Sequence, residues 1–211
     1  VPDNDNGNGR DYGNEGERVG PPYELDGGRQ TVRLTRVGAR LDLGGIAKGK
    51  ALDLAAEVLR EQGVGCALLH GGTSSVVAIG APRGCAGWRV ALEGGAEAPC
   101  VWLADEALAV SCNRGRRNAA GGHILDPQRM APTTDGAVVA IVAARASTAD
   151  AWATAICAAG SRVLDLPGGL AALCCEGESR AGARGPWRVL TERVEPFHFP
   201  SASSTRGARP A

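Results

Sequence analysis

Two phenylalanines, two tyrosines and one methionine are few for a chain of 211 residues. A core without them must close on Val, Leu, Ala and Trp, and must take much of its stability from close backbone approach. Net charge is equally scarce. The 23 basic residues stand against 23 acidic ones, so no long-range field draws the chain to nucleic acid or to an anionic membrane. Any anionic ligand has to be held by local groups. No stretch nears the roughly 18 apolar residues of a membrane-spanning helix, and no basic-then-apolar leader opens the chain. The first residue is Val rather than Met, which reads as a fragment or a processed form and leaves the compartment unassigned. The seven cysteines show no CxxC pair, no Cys/His zinc spacing and no small secreted framework. They read as mostly buried thiols of a reducing compartment.

Glycine, by contrast, is abundant at 31 residues, and function is expected on backbone-rich loops. Residues 1–30 are rich in Gly, Asn and charge and poor in aliphatics, and read as a flexible polar arm. The tail 201–211, SASSTRGARPA, reads as disordered, which leaves 31–200 as the folded domain. TVRLTR (31–36) alternates as a half-buried strand, and LDL (41–43) suggests a second short one. Ala47, Ala51, Leu54, Ala55, Val58 and Leu59 recur at helical spacing, with Gly63 as a stop. Further strands are expected at 66–70, 75–80, 88–93, 100–104, 107–112, 137–144, 170–175 and 187–192. A second helix follows the one at 137–144. Many strands with few helices between them argue an α+β fold with a largely antiparallel sheet.

Four stretches could carry chemistry. In STADAWATA (147–155), Ser147 suits an N-cap with Asp150 as its capping-box partner. Asp150 and Thr154, at i and i+4, also leave the helix on one face, and a carboxylate beside a hydroxyl suits a hard cation such as Mg²⁺. In DLGGIAKG (42–49), glycines enter a helix whose first N–H groups would attract phosphate, with Lys48 as a point charge. It is neither a Walker A loop nor GxGxxG, and an ordinary strand-to-helix turn is the alternative. HGGTSS (70–75) offers two glycines and three hydroxyls, or simply a hairpin turn. In GGHILDP (121–127), His123 is a candidate general base or a structural histidine; no GxSxG hydrolase signature accompanies it.

The order and spacing of DLGGIAKGKALD (42–53), ALLHGGTSSVVAIG (67–80), ALAVSCNRGRRNAAGGHILDP (107–127) and VVAIVAARASTADAWATAICAAG (138–160) resemble the ApbE family, the FAD:protein FMN transferases. The resemblance covers about residues 31–195. It implies an ApbE-like, T-fold-like α+β domain, here an N-terminally truncated or divergent member. It further implies Mg²⁺-dependent transfer of FMN from FAD to a Ser or Thr hydroxyl of an acceptor flavoprotein, with release of AMP. Asp150, Thr154 and the Ala47 carbonyl would ligate the metal. His123 would accept the proton of the attacking hydroxyl, and Asp126 would orient it or shape its turn. Asp42, Gly45, Lys48, Gly71, Gly72, Thr73 and Ser111 would line the nucleotide.

This chain departs from the family pattern at several points. DPQRMAP stands where the family has DPxTGxP, so Arg129 and Met130 replace Thr and Gly. Ser111-Cys112 replaces a Ser-Gly pair, and Lys50 replaces an aromatic residue. A polar arm stands where family members carry a region that supplies much of the isoalloxazine pocket. Two other readings therefore stand beside transfer: a non-catalytic FAD-binding paralogue, and an FAD pyrophosphatase giving AMP and FMN. The expected partners are FAD and an acceptor flavoprotein of the kind found in respiratory redox pumps, with homodimerisation left open.

Overall fold

The computed structural model describes residues 21–93, 98–112, 117–118, 121–127, 129, 131–133, 137–160, 165–175 and 186–199. The chain divides into two compact units, residues 1–42 and 43–211.

The first unit contains a hairpin of β1 (Tyr23–Asp26) and β2 (Thr31–Leu34). Tyr23 pairs with Leu34 and Leu25 with Val32, which places the four on one face. On the other, Arg33 bonds Glu24. The Asp26 carboxylate closes the turn by accepting from the Arg29 amide at 2.9 Å. β1 thus lies inside the stretch expected to be a polar arm. Its four residues alternate YELD, too short a period-two signal to stand out in a polar context.

The second unit opens with α1 (Ala47–Glu61). Residues 41–43, expected as a strand, carry none. The Leu43 carbonyl instead accepts from the amides of Ile46 and Ala47 at 3.0 and 2.8 Å, so the backbone is already turning into the helix. Gly63, at φ +80°, ends α1 as expected, a left-handed step that costs glycine nothing. Of the apolar stripe read from the sequence, only Leu59 rests against the core; the rest is not the face that packs. Gly49, Leu52, Asp53 and Ala56 are buried, whereas Leu54 and Val58 are 48% and 56% exposed. A buried face holding a glycine and an aspartate cannot be found by counting apolar residues.

β3 (Ala67–His70), β4 (Ser75–Ile79), β5 (Trp88–Ala91), β6 (Cys100–Leu103) and β7 (Ala107–Cys112) follow. Then come the short pairs β8 (Arg117–Asn118) with β9 (Gly121–Gly122), and β10 (Leu125–Asp126) with β11 (Ala131–Pro132). β12 (Val138–Ala143), α2 (Ala146–Ala159), β13 (Ala171–Cys175), β14 (Trp187–Val189) and β15 (Phe197–His198) complete the described elements. The main sheet has the order β14-β13-β12-β7-β4-β3, with every neighbouring pair antiparallel. A smaller sheet has the order β15-β6-β5.

Period-two alternation divides the main sheet between two cores. Val76, Leu108, Ala140, Val142 and Leu173 pack with Leu92, Val101, Leu103 and Phe197 of the small-sheet side. The alternate residues face the helices. Ala109, Val139, Ile141 and Ala172 pack with Ala149, Ala153 and Ile156 of α2, and Val77 and Ile79 pack with Leu52 and Ala56 of α1. β12, covered on both faces, is buried at all six positions, hence its unbroken VVAIVA run. Two of the seven cysteines, Cys157 and Cys175, are buried, while Cys66 and Cys85 are exposed. The expectation of mostly buried thiols is therefore corrected: small residues in edge loops do not need burial to be tolerated.

Candidate functional site

The first turns of α1 and α2 cross. A Cβ added to Gly49 would lie 2.2 Å from the Ala146 carbonyl oxygen and 2.7 Å from Ser147 Cα, so only glycine permits this approach. Each helix then supplies what the other's start lacks. Helix N-termini leave backbone N–H groups without intrahelical acceptors, and neither Ile46 nor Arg145, the residues at the N-cap positions, makes a side-chain cap. Asp150 of α2, 1% exposed, accepts from the Gly49 amide at 3.0 Å. Asp53 of α1, 6% exposed, accepts from the amides of Ala146 and Ser147 at 2.7 and 3.2 Å and from the Ser147 hydroxyl at 2.5 Å.

This arrangement corrects the capping expected for α2. The helix begins at Ala146, and Ser147 is its second residue, donating to Asp53 instead of capping. Asp150 serves the partner helix. Asp53 was missed as a site residue because nothing local distinguishes an aspartate in KALDLAAE; its burial beside another helix start exists only in three dimensions. Burial alone would push its carboxyl up, but the Ser147 hydroxyl, the two amides and the Arg145 guanidinium outweigh that and hold it below the usual carboxylate range. Arg145 Nε lies 3.4 Å from Asp53, and its Nη2 donates to Glu57 at 2.9 Å.

Around Asp150 the other expected residues gather. Lys48 Nζ lies 3.3 Å from Asp150 Oδ1. Gly45 fits against Thr154, whose Oγ1 and Cγ2 would lie 3.2 and 3.1 Å from an added Cβ. The Ser111 and Thr154 hydroxyls are 3.2 Å apart, which ties the end of β7 to α2. A Cβ on Gly71 would meet Leu52 of α1 at 3.0 Å, so the loop after β3 rests on the same helix. Gly72 and Thr73 in that loop are exposed. Ala47 opens α1, also exposed, and Asp42 belongs to the first unit. Ser75 is the last of the three hydroxyls offered by HGGTSS, although it was not given a role of its own. It pairs with Ala109, which places it on the helix-facing side together with Ser111, and its fully buried hydroxyl has no hydrogen-bond partner. Such an orphaned group marks a place for a water or a ligand oxygen.

His123 is exposed, in a bend just before β10. Its neighbour Ile124 is buried in the core cluster that contains Ala149 and Ala153, which moors this loop beside α2. Asp126 is buried, and its carboxylate accepts from the Arg129 amide at 3.3 Å, with Arg129 Nε at 3.8 Å. The aspartate therefore holds Arg129, three residues on. Met130, noted for replacing a glycine, lies outside the described residues, as do 1–20 and 201–211 of the expected arm and tail.

Among the described residues no three His, Cys, Asp or Glu side chains cluster as metal ligands. A cation held here would need hydroxyl, backbone or ligand oxygens besides Asp150. The donor set suits that role: one buried carboxylate, already balanced by an ammonium and an amide, with hydroxyls beside it. A separate concavity of about 690 Å³, lined in part by Trp102, Glu106, Arg193, Glu195 and His198, opens elsewhere. Glu106 is five residues before Ser111, roughly 17 Å along the strand direction. Its Arg193 is occupied by Glu106, Glu195 and the Gly169 carbonyl, and none of the expected site residues lines it.

A family model described as the ApbE family matches residues 17–174. The chain is 37% identical over 138 residues to an FAD:protein FMN transferase of Rhodobacter capsulatus, covering 62% of this chain and 26% of that protein. It is similar to the solved ApbE protein of Thermotoga maritima, with 30% identity and a TM-score of 0.64 over 77% of this chain and 56% of that one. The flavin transferase ApbE of Vibrio cholerae shares the fold at 21% identity, with a TM-score of 0.68 over 84% of this chain and 58% of that one. The chain thus spans a quarter of the curated relative and little more than half of the solved ones. Since the family match runs from ahead of the first hairpin, through both helices, into β13, the chain belongs to the ApbE family.

Proposed function

We propose that this chain carries the metal- and phosphate-handling part of an FAD:protein FMN transferase. In that reaction a Ser or Thr hydroxyl of an acceptor flavoprotein attacks the FMN phosphorus of FAD, the pyrophosphate bond breaks, and AMP leaves. The observation that carries the reading is the meeting of Asp150, Thr154 and Ser111 with the glycine turn that starts α1. Asp150 and Thr154, with the Ala47 carbonyl, would hold Mg²⁺. Bound there, the cation would neutralise charge on the pyrophosphate oxygens.

The chain's own groups supply the remaining functions. Lys48, half-exposed and paired with Asp150, is within reach of a phosphate that enters beside that carboxylate. Gly45, Gly71 and Gly72 leave room for the nucleotide backbone, with Thr73 and Ser111 as its polar contacts. His123, exposed on a loop moored by Ile124, would take the proton that the attacking hydroxyl releases. Asp126 would orient that histidine or shape its turn. Acceptors of the respiratory-pump kind and a homodimeric arrangement belong to the same proposal.

Product analysis tests it. FAD, Mg²⁺ and an acceptor flavoprotein should yield AMP and protein-bound flavin in equal amounts. AMP with free FMN would replace transfer by hydrolysis, and FAD binding without AMP would leave a flavin-binding module. His123→Ala should lower transfer by about 10²–10⁴-fold while calorimetric FAD and Mg²⁺ affinities stay within about twofold. Wild-type transfer in that variant would remove the general-base role.

A further inference from the structure

The proposed cation site depends on where the first turn of α2 sits against the first turn of α1, and two carboxylates hold that crossing. Asp53 lies four residues past Gly49, and Asp150 four residues past Ala146. Each carboxylate reaches back across the contact to the other helix's first N–H groups. Asp150 keeps one oxygen toward the half-exposed Lys48 ammonium, a group that can leave. Asp53 has no such opening. Oδ1 is bonded to the Ala146 amide, and Oδ2 to the Ser147 amide and hydroxyl, with Arg145 beside it. A ligand cannot reach a carboxylate that is buried and engaged at both oxygens, yet the residues it holds lie one turn before Asp150 and two before Thr154.

We propose that Asp53 is a positioning residue of the cation site: by binding the Ala146 and Ser147 N–H groups it sets the place of Asp150 and Thr154 over the glycine turn of α1. The inference rests on the reading of Asp150 and Thr154 as cation ligands. An amide at position 53 keeps the shape but loses the charge and can accept at only one atom. It therefore leaves either the Ala146 amide or the Ser147 donors without an acceptor. The first turn of α2 then loosens while the core residues below it, Ala149, Ala153 and Ile156, stay packed.

The test is calorimetric titration of MgCl₂ into the full chain saturated with FAD, comparing wild type, Asp53→Asn and Ser147→Ala, each checked for folding by circular dichroism. Asp53→Asn should weaken Mg²⁺ by about tenfold or more, in the range seen when groups behind metal ligands are removed. Ser147→Ala, which removes one donor but not the carboxylate, should weaken it by about threefold, an estimate for losing one of several bonds to a charged group. A folded Asp53→Asn protein with wild-type Mg²⁺ affinity and a lowered melting temperature would overturn the proposal, leaving Asp53 a purely structural cap. If Asp53→Asn does not fold, Ser147→Ala decides, and unchanged affinity there overturns the proposal. Wild-type protein that binds FAD without regard to Mg²⁺ overturns the cation reading of Asp150 and this proposal together.

Discussion

Asp53 on α1 and Asp150 on α2 stand in matching places, each one turn beyond the point where the helices touch and each bonded to the other's first turn. Their surroundings differ. Asp53 gathers two amides, a hydroxyl and a guanidinium, enough to satisfy a carboxylate completely inside the protein. Asp150 receives one amide and one lysine whose side chain is 45% exposed, and hydroxyl and glycine surfaces adjoin it. Burial is nearly the same for both, so burial alone does not separate a structural carboxylate from a functional one. The exchangeability of the partners does: a lysine at the surface can give way to a cation and a phosphate, whereas backbone amides cannot.

The contrast is most sharply tested at Asp150. Asp150→Ala should abolish Mg²⁺-dependent FAD binding, a loss of at least roughly 100-fold, since even groups behind a ligand cost 10–100-fold. Calorimetry with and without Mg²⁺ reads this directly, and retained metal dependence would make the two aspartates alike. Gly49→Ala strikes the contact on which both carboxylates depend. Its methyl would meet the Ala146 backbone at 2.2 Å, so the helices must part, with destabilisation of about 3 kcal/mol or more in urea unfolding. A variant as stable as wild type would show that the crossing tolerates slack.

The smallest effect is in acid. Asp53 is held below its ordinary value of 3.8, so the unfolded chain takes up its proton first. The contribution is complete above that value and is lost as pH falls through the lower folded pKa. The stability gap between wild type and Asp53→Asn, measured by urea unfolding at successive pH values, should therefore narrow below pH 3.8. Arg145 and Ser147 face this carboxylate, and Glu57 shares Arg145; Ser147 does not titrate and Arg145 stays protonated, so Glu57→Gln serves as the control for the shared ion pair. A gap that widens in acid would assign the carboxylate the opposite role.

Much of this was legible in the amino-acid order. The strands from 66 to 112, at 137–144 and at 170–175 follow from apolar runs and alternation, and β7 was bounded to the residue. The helix from Ala47 and its stop at Gly63 follow from spacing and from the one residue type that turns left-handed without strain. The motif stretches were also found in order, and Asp150, Thr154, Lys48, Gly45 and Ser111 do come together.

What eluded the sequence shares one cause. The strand Tyr23–Asp26 was hidden in polar context, although its partner at 31–34 was expected, because a two-stranded ribbon with exposed faces needs no apolar run. The buried face of α1 was misplaced because Gly49 and Asp53 hold it, and Ser147 was given the wrong partner because its acceptor is 94 residues away. Periodicity and capping patterns report what a segment does with its own neighbours. The sequence by itself therefore determined the two helices, the main strands, their order and the oxygen donors available. Only the tertiary structure decided which carboxylate is consumed by the fold and which is left for a ligand. Hydrogen-bond satisfaction is a property of the whole packed neighbourhood, and the amides that satisfy Asp53 arrive from 93 and 94 residues along the chain.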